Sequence, residues 1–410
     1  MKSIFYGWKI TWALAITQTV SYGVLYYGFG VFTKVIEQEF AWSRAETSGA
    51  FSLALLISGL LGFVVGSHVD KNGARFLMTM GSIIATAMVF AWSLVVDLKS
   101  FYLVQAGIGV AMSAVLYPVA FTVIAVWFRS KRPKAMLVVT FVAGLASTIF
   151  IPLETYLLEI MSWREALRVL ALIIGLTTIP LHAFIIKRRP ADIGLEPDGI
   201  KPQTKDLQIM PEIQISRKEA FRSQSFWWYS LSFALSALTI NAIATHLVPL
   251  LLERGLTSST VAAAAGSVGL MQLAGRIVFT PLNGRLPLKT ISAITFATHT
   301  VALIILYTLF SGISVWLFVL FYGIGNGAIT LARAALIANS YGAKNFGSIS
   351  GSMAIFIALT QAIAPIGAGF LHDLAQSYNP VLITLIITSL VASIAVYVAQ
   401  NQAKNIKRDS

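Results

Sequence analysis

The sequence has no cysteine among its 410 residues, which excludes disulfides and thiolate metal sites. Charge is also scarce, at 11% of residues against roughly 25% in a soluble globular domain. The five histidines and 17 acids form no cluster at metal-ligand spacing. Neither a nucleophile motif nor a phosphate-binding glycine loop occurs. Catalysis therefore has little to stand on, and no enzyme activity, metal or cofactor is expected. A cleavable signal is not expected either, because the first apolar run starts near Trp8 and is too long for a signal core.

What the chain has in quantity is apolar length. Hydrophobic residues make up 57% of it, in runs of roughly 20 to 25 residues, the length an α-helix needs to cross about 30 Å of hydrocarbon. The pattern predicts an all-α polytopic membrane protein of twelve transmembrane helices. Six fall near 8–33, 47–66, 76–96, 101–128, 135–159 and 165–186; six more near 226–251, 258–282, 289–311, 313–339, 348–371 and 379–400. Between them the polar segment 187–225, containing "KRRPADIGLEPDGIKPQ", reads as a linker with room for a short surface helix. Two six-helix halves, 1–186 and 226–410, follow as the expected domains.

The basic residues set the expected orientation. With the N-terminus inside, 22 of the 30 Lys and Arg lie on the N-terminal side and six on the other; Arg276 and Arg333 fall inside helices. The positive-inside rule then places both termini and the linker in the cytoplasm. The net charge of +13 is explained by short inner loops beside anionic headgroups, so no nucleic-acid partner is expected.

After the second predicted helix comes "GSHVDKNGAR", residues 66–75. Its Gly66, Asp70, Lys71, Gly73 and Arg75 stand at the spacing that marks the major facilitator superfamily, and the chain resembles that family on these residues. Glycines permit a tight turn there, the acid can face a neighbouring helix N-terminus, and the bases obey the topology rule. His68 departs from the usual leucine. A degraded copy, "TPLNGRLPLK", follows at 280–289, keeping Arg285 and Lys289 with Gly284 where the acid would be.

Further stretches resemble the monocarboxylate-transporter branch, particularly its bacterial members: "YGWKI", "YGFGVFTKVIEQEFAWSRAETS", "YPVAFTVIAVWFRSKRPKAM", "HLVPLLLERGLTSS" and "GLMQLAGR". The sequence also resembles the oxalate/formate exchangers. In place of the GPxxGG run of drug/proton antiporters it has "AGLASTIFIP".

The resemblance implies that Arg276, in the eighth predicted helix, holds the substrate carboxylate. The residue's chemistry points the same way. A charge at a helix centre costs roughly 3 kcal/mol even on the lenient insertion scale, and the guanidinium fork fits a carboxylate through two parallel hydrogen bonds. An anionic substrate is therefore the expected counter-ion for part of the cycle, with a structural arginine as the alternative. Gln272 lies one turn earlier on the same face, where the mammalian carriers typically have aspartate. Tyr27 aligns with the lysine that takes part in their proton coupling. With both titratable partners absent, His246 is the remaining proton-coupling candidate; a hydrogen-bonded interfacial histidine is the other reading. Tyr117, before Pro118, is placed by the resemblance against the substrate or else fills a helix interface. His299 is expected to be structural, and Arg333 to snorkel or contact a gate.

The expected function is secondary active transport of a small monocarboxylate, such as lactate or pyruvate, together with a proton. It would proceed by alternating access around one central anion site, in a monomer of the bacterial inner membrane. Anion exchange is the rival, although the eleventh helix lacks the second cation that the resemblance associates with a dicarboxylate. A non-transporting membrane receptor is the alternative of a different class.

Overall fold

The computed structural model describes residues 5–199, 215–308 and 312–409, so positions 200–214 of the expected linker lie outside the described residues. Regular structure among the described residues is entirely helical. The helices are α1 (Tyr6–Tyr22), α2 (Gly28–Phe40), α3 (Arg44–Asn72), α4 (Arg75–Trp92), α5 (Leu98–Val115), α6 (Tyr117–Trp127), α7 (Arg132–Ala143) and α8 (Ala146–Ile160). They continue with α9 (Trp163–Pro180), α10 (Arg217–Arg222), α11 (Gln224–Glu253), α12 (Ser258–Arg285), α13 (Leu288–Thr308), α14 (Gly312–Tyr341), α15 (Phe346–Ala375) and α16 (Asn379–Asp409).

Eleven stretches among the described residues, beginning with Ala45–Asn72 and ending with Asn379–Gln402, are long and apolar enough to cross a bilayer. The first expected span differs because a π-helical turn, Gly23–Tyr27, divides it into α1 and α2. Several helices run past the expected ends because polar caps extend them. Ser43, Ser162 and Ser216 each accept a backbone N–H from a glutamate three residues on, whose carboxylate accepts the serine N–H in return. Such reciprocal boxes satisfy two orphan donors at a helix start. The short surface helix of the linker is α10, begun by the Ser216 box.

The described chain divides into two compact units, Met1–Glu212 with Ala343–Ile355, and Ile213–Gly342 with Phe356–Ser410. In the first, Trp92, Phe101, Phe32 and Ile174 are fully buried in one core. Linker residue Asp198 folds back onto this unit, its carboxylate accepting the backbone N–H groups of Arg129, Ser130 and Lys131 and the Ser130 hydroxyl. The second unit is built on Leu303, Leu306, Phe318 and Leu382. Large apolar side chains also point outward, among them Leu103, Leu176 and Ile366, each more than 70% exposed. In water such a surface would be an aggregation hazard, whereas against lipid it is the expected exterior.

The first turns of α15 belong to the first unit because glycines let two backbones cross. Gly62 and Gly66 on α3 face Gly351 and Gly347 on α15 so closely that a methyl group on Gly66, Gly347 or Gly351 would run into opposing backbone. Both pairs have small-xxx-small spacing, which lets helices pack at backbone contact.

Candidate transport site

In the first unit the π-turn brings together the tyrosines of α1 and α6. Tyr27 lies edge-on to Tyr26 with ring centroids 5.4 Å apart, Tyr26 lies 6.1 Å from Tyr22, and Tyr22 lies 4.7 Å from Tyr117. Tyr27 and Tyr117, two of the expected site residues, thus belong to one chain of aromatic contacts. Tyr117 also stacks on Phe121 at 5.2 Å. Its position follows from a break. Leu116 is extended (φ −84°, ψ −177°) between α5 and α6, and Pro118, which has no N–H to continue the helical ladder, stands in the first turn of the new helix where that donor is not needed. Gln18 of α1 makes up part of the lost bonding, its Nε2 donating to Val115 O at 2.5 Å.

Beside the π-turn, at Gly28, stands a carboxyl group with no place in the loop motif or the expected site. Glu154 on α8 is fully buried, and neither of its oxygens has a hydrogen-bond partner among the described residues. The available signal was its place inside an apolar run, two residues after Pro152.

In the second unit Arg276 lies in α12 and is buried, at 7% exposure. Gln272 is half-buried one turn before it. Close packing against α14 fixes this stretch. A methyl group at Gly275 would meet the Ile324 backbone, one at Gly323 would meet Met271, and one at Gly327 would meet the backbone of Gln272 itself. Gly323 and Gly327 repeat the small-xxx-small spacing seen in the first unit. Position 276 is thereby held inside the helix bundle with Gln272 on its own face.

His246, also in the second unit, sits on α11. Its Nε2 lies 3.0 Å from the Pro365 carbonyl of α15 and its Nδ1 lies 3.1 Å from the Tyr378 hydroxyl. A carbonyl can only accept, so Nε2 carries the hydrogen and Nδ1 accepts from the tyrosine. Burial, with Glu253 and Asp373 adding to it, holds the Tyr378 phenol above its usual range, so it remains a donor. Tyr378 also packs on His372, 4.3 Å between centroids, and His372 bridges Glu253 at 3.0 Å and Asp373 at 3.3 Å. His299 is buried against the Tyr322 ring at 4.8 Å, and Arg333 lies 5.9 Å from the Phe233 ring centre.

The loop motif is built inside the first unit. The Asp70 carboxylate accepts backbone N–H groups from Gly347 at 2.9 Å and Ser348 at 2.7 Å. These are among the orphan donors at the start of α15, where the helix dipole favours a negative charge. Gly66 makes the backbone approach possible, while Gly73 takes φ +83°. Lys71 contributes its carbonyl, which accepts from Arg188 Nη2. Of the second copy, the side chains at 281–285, including Arg285, and the position of Gly284 lie outside the described residues. Lys289 bonds Asn401 Oδ1 at 2.6 Å.

Buried cation and carboxyl side chains in the spans of a polytopic helical protein, with the loop motif docked on a helix start, fit a membrane carrier. The profile of the Major Facilitator Superfamily matches residues 14–365. The chain belongs to that family, whose members are carriers and not enzymes. Among curated relatives it is similar to monocarboxylate transporter 12-B of Danio rerio, 24% identical over 98% of this chain and 90% of the relative. It is also similar to the uncharacterized MFS-type transporter YcxA of Bacillus subtilis (strain 168), at 22% identity over 85% of each. Among solved structures, a bacterial homologue of the iron transporter ferroportin in outward-facing state superimposes with a TM-score of 0.75, at 14% identity, over 97% of this chain and all of that one.

Proposed function

We propose that this carrier moves small monocarboxylates of the lactate and pyruvate class together with a proton, by alternating access. In this reading the six-helix halves 1–186 and 226–410 move about the cytoplasmic linker 187–225, in a monomer of a bacterial inner membrane with both termini inside. The observation that carries the reading is the guanidinium of Arg276 inside an apolar helix. Burying a cation at such a depth is costly, and a fixed fork repays that cost in function when it meets a carboxylate. The resemblance to named monocarboxylate transporters supports the same substrate class. Gln272 would add an amide donor on the same face, and the phenols of Tyr27 and Tyr117 are further donors for an organic anion. His246 is the proton-coupling group that the sequence suggests. The motif Gly66, Asp70, Lys71, Gly73 and Arg75 would serve gating.

Uptake of radiolabelled lactate and pyruvate into proteoliposomes, with and without an inward proton gradient, tests the proposal. Acceleration by the gradient in the wild type, and its loss in Arg276→Ala with the protein still folded, is the expected result. Normal uptake by the variant overturns the site. Counterflow indifferent to pH turns the reading to anion exchange, and binding without flux turns it to a receptor.

A further inference from the structure

Glu154 is an intramembrane carboxyl group to which the family motif assigns nothing. It lies six residues from the end of α8 at Ile160, about 9 Å along the helix axis. The span that contains it, Arg132–Ile160, is apolar enough to cross the bilayer. Its side chain is fully buried, with both oxygens lacking a hydrogen-bond partner among the described residues.

The pocket around it is built by the π-turn. On α8, Phe150 and Glu154 are four residues apart and share a face. On the first span, the facing positions are Gly23 and Gly28, five residues apart across the π-turn. A methyl group at Gly23 would collide with the Phe150 ring, and one at Gly28 would lie 2.9 Å from Glu154 Oε1. The wider π spacing therefore sets a side-chain-free position against each of the two α8 residues, and π-turns of this kind cluster at functional sites.

The ionisable groups on the packed elements are otherwise engaged or turned outward. Glu39 on α2 binds Trp163 Nε1 at 2.5 Å and Arg164 at 2.7 Å, and Glu37 accepts the Thr47 hydroxyl at 2.5 Å. Glu165 and Arg168 of α9 bond Ser162 and Ser93. Lys34 on α2 and Tyr156 and Glu159 on α8 are exposed, while Tyr26 and Tyr27 of the π-turn lie edge-on to one another. Among these groups the described contacts provide no cation for Glu154. An ionised carboxylate would stand there uncompensated, whereas a proton discharges it. His246 differs, because both its ring nitrogens already join α11 to other elements.

We propose that Glu154 is the group that takes up and releases the coupling proton, in the pocket formed by Gly23, Gly28 and Phe150. This rests on the reading of the chain as a proton-coupled carrier. In the state seen here the group is a neutral acid; when that pocket opens to water, the O–H proton passes to water and leaves the carboxylate. Uptake is the reverse, and no other bond changes.

The first test needs no substrate. Infrared difference spectra of the purified wild type between acid and alkaline pH should contain a protonated-carboxyl band at the high frequency of an acid free of hydrogen bonds, distinct from those of hydrated carboxyls, and Glu154→Gln should lack it. Absence of that band in the wild type, or its persistence in E154Q, overturns the proposal. The second test uses radiolabelled lactate in proteoliposomes. E154Q should keep counterflow at equal pH within about two-fold of the wild type and lose the acceleration by a proton gradient, while Glu154→Asp regains part of it. A coupled wild type with an equally coupled E154Q overturns the assignment alone. A wild type that exchanges lactate but ignores the gradient overturns the coupled reading, and this proposal with it. Gly28→Ala, which keeps the acid and crowds Oε1, should slow gradient-driven uptake; an unchanged rate counts against the pocket.

Discussion

Apart from Arg132 at the start of α7 and the histidines His182 and His299, each compact unit buries one acidic or basic side chain in a described transmembrane helix, and the two are opposite in kind. The first unit holds Glu154, fully buried beside a π-turn; the second holds Arg276, 7% exposed, on a regular helix pressed against glycines. The surrounding chemistry differs in the same sense. Tyrosines line the first region, and the acid there can be neutralised by a proton. A guanidinium cannot be neutralised at any physiological pH, so the second region keeps its charge throughout. On the two proposals above the tasks are separable, with Glu154 of one unit handling the proton and Arg276 of the other meeting the anion's charge.

The largest expected effect tests that separation. Arg276→Ala should abolish both proton-driven uptake and counterflow, whereas Glu154→Gln should abolish only the former. Arg276→Lys keeps the charge and loses the fork, so counterflow should fall by at least about ten-fold, one bidentate contact's worth. Equal damage to both modes by the Arg276 and Glu154 variants would erase the division of labour between the units.

The units are alike in how helices cross, and the next effect breaks that likeness. Gly66→Ala in the first unit and Gly327→Ala in the second each drive a methyl group into an opposing backbone, at Gly347 and Gln272. Overpacking of this kind costs about 1 to 3 kcal/mol. Thermal unfolding in detergent should show both variants clearly lowered, and Gly327→Ala should also weaken lactate uptake, because the backbone it displaces carries Gln272 and, one turn on, Arg276. A smaller effect belongs to Asp70→Asn, which loses a charge and one acceptor at the start of α15; about 1 kcal/mol is expected, read as a lower unfolding midpoint.

How much of this could be read beforehand follows from the range of the interactions. Helix number and type were legible because each span is a long apolar run, and hydrocarbon tolerates little else. The helix starts are written in "SRAE", "SWRE" and "SRKE", capping boxes that hydropathy does not register, so α3 and α9 begin earlier than their apolar runs. The π-turn was not legible, since flanking glycines at 23 and 28 look the same as glycines used for packing. Glu154 could be placed in its helix, but its facing Gly28 could not, because that contact spans 126 positions of sequence and depends on the extra residue in the turn. His246 was named as a candidate by type; its two bonds, to Pro365 O and Tyr378 OH, depend on where α15 and the start of α16 fall.

The smallest expected effect concerns those two bonds. Tyr378→Phe deletes the hydroxyl that donates to His246 Nδ1 and keeps the ring that packs on His372. Losing one neutral hydrogen bond costs about 1 kcal/mol. His246→Gln removes the partner, and the double variant closes the cycle. If the histidine is a strut between α11 and α15, the losses in unfolding midpoint should be less than additive, since the second substitution removes a bond already gone. All three variants should then retain proton-driven uptake, in contrast to E154Q. Loss of that uptake in His246→Gln with an unchanged midpoint would instead move proton handling into the second unit, beside the anion, and dissolve the contrast between the two regions.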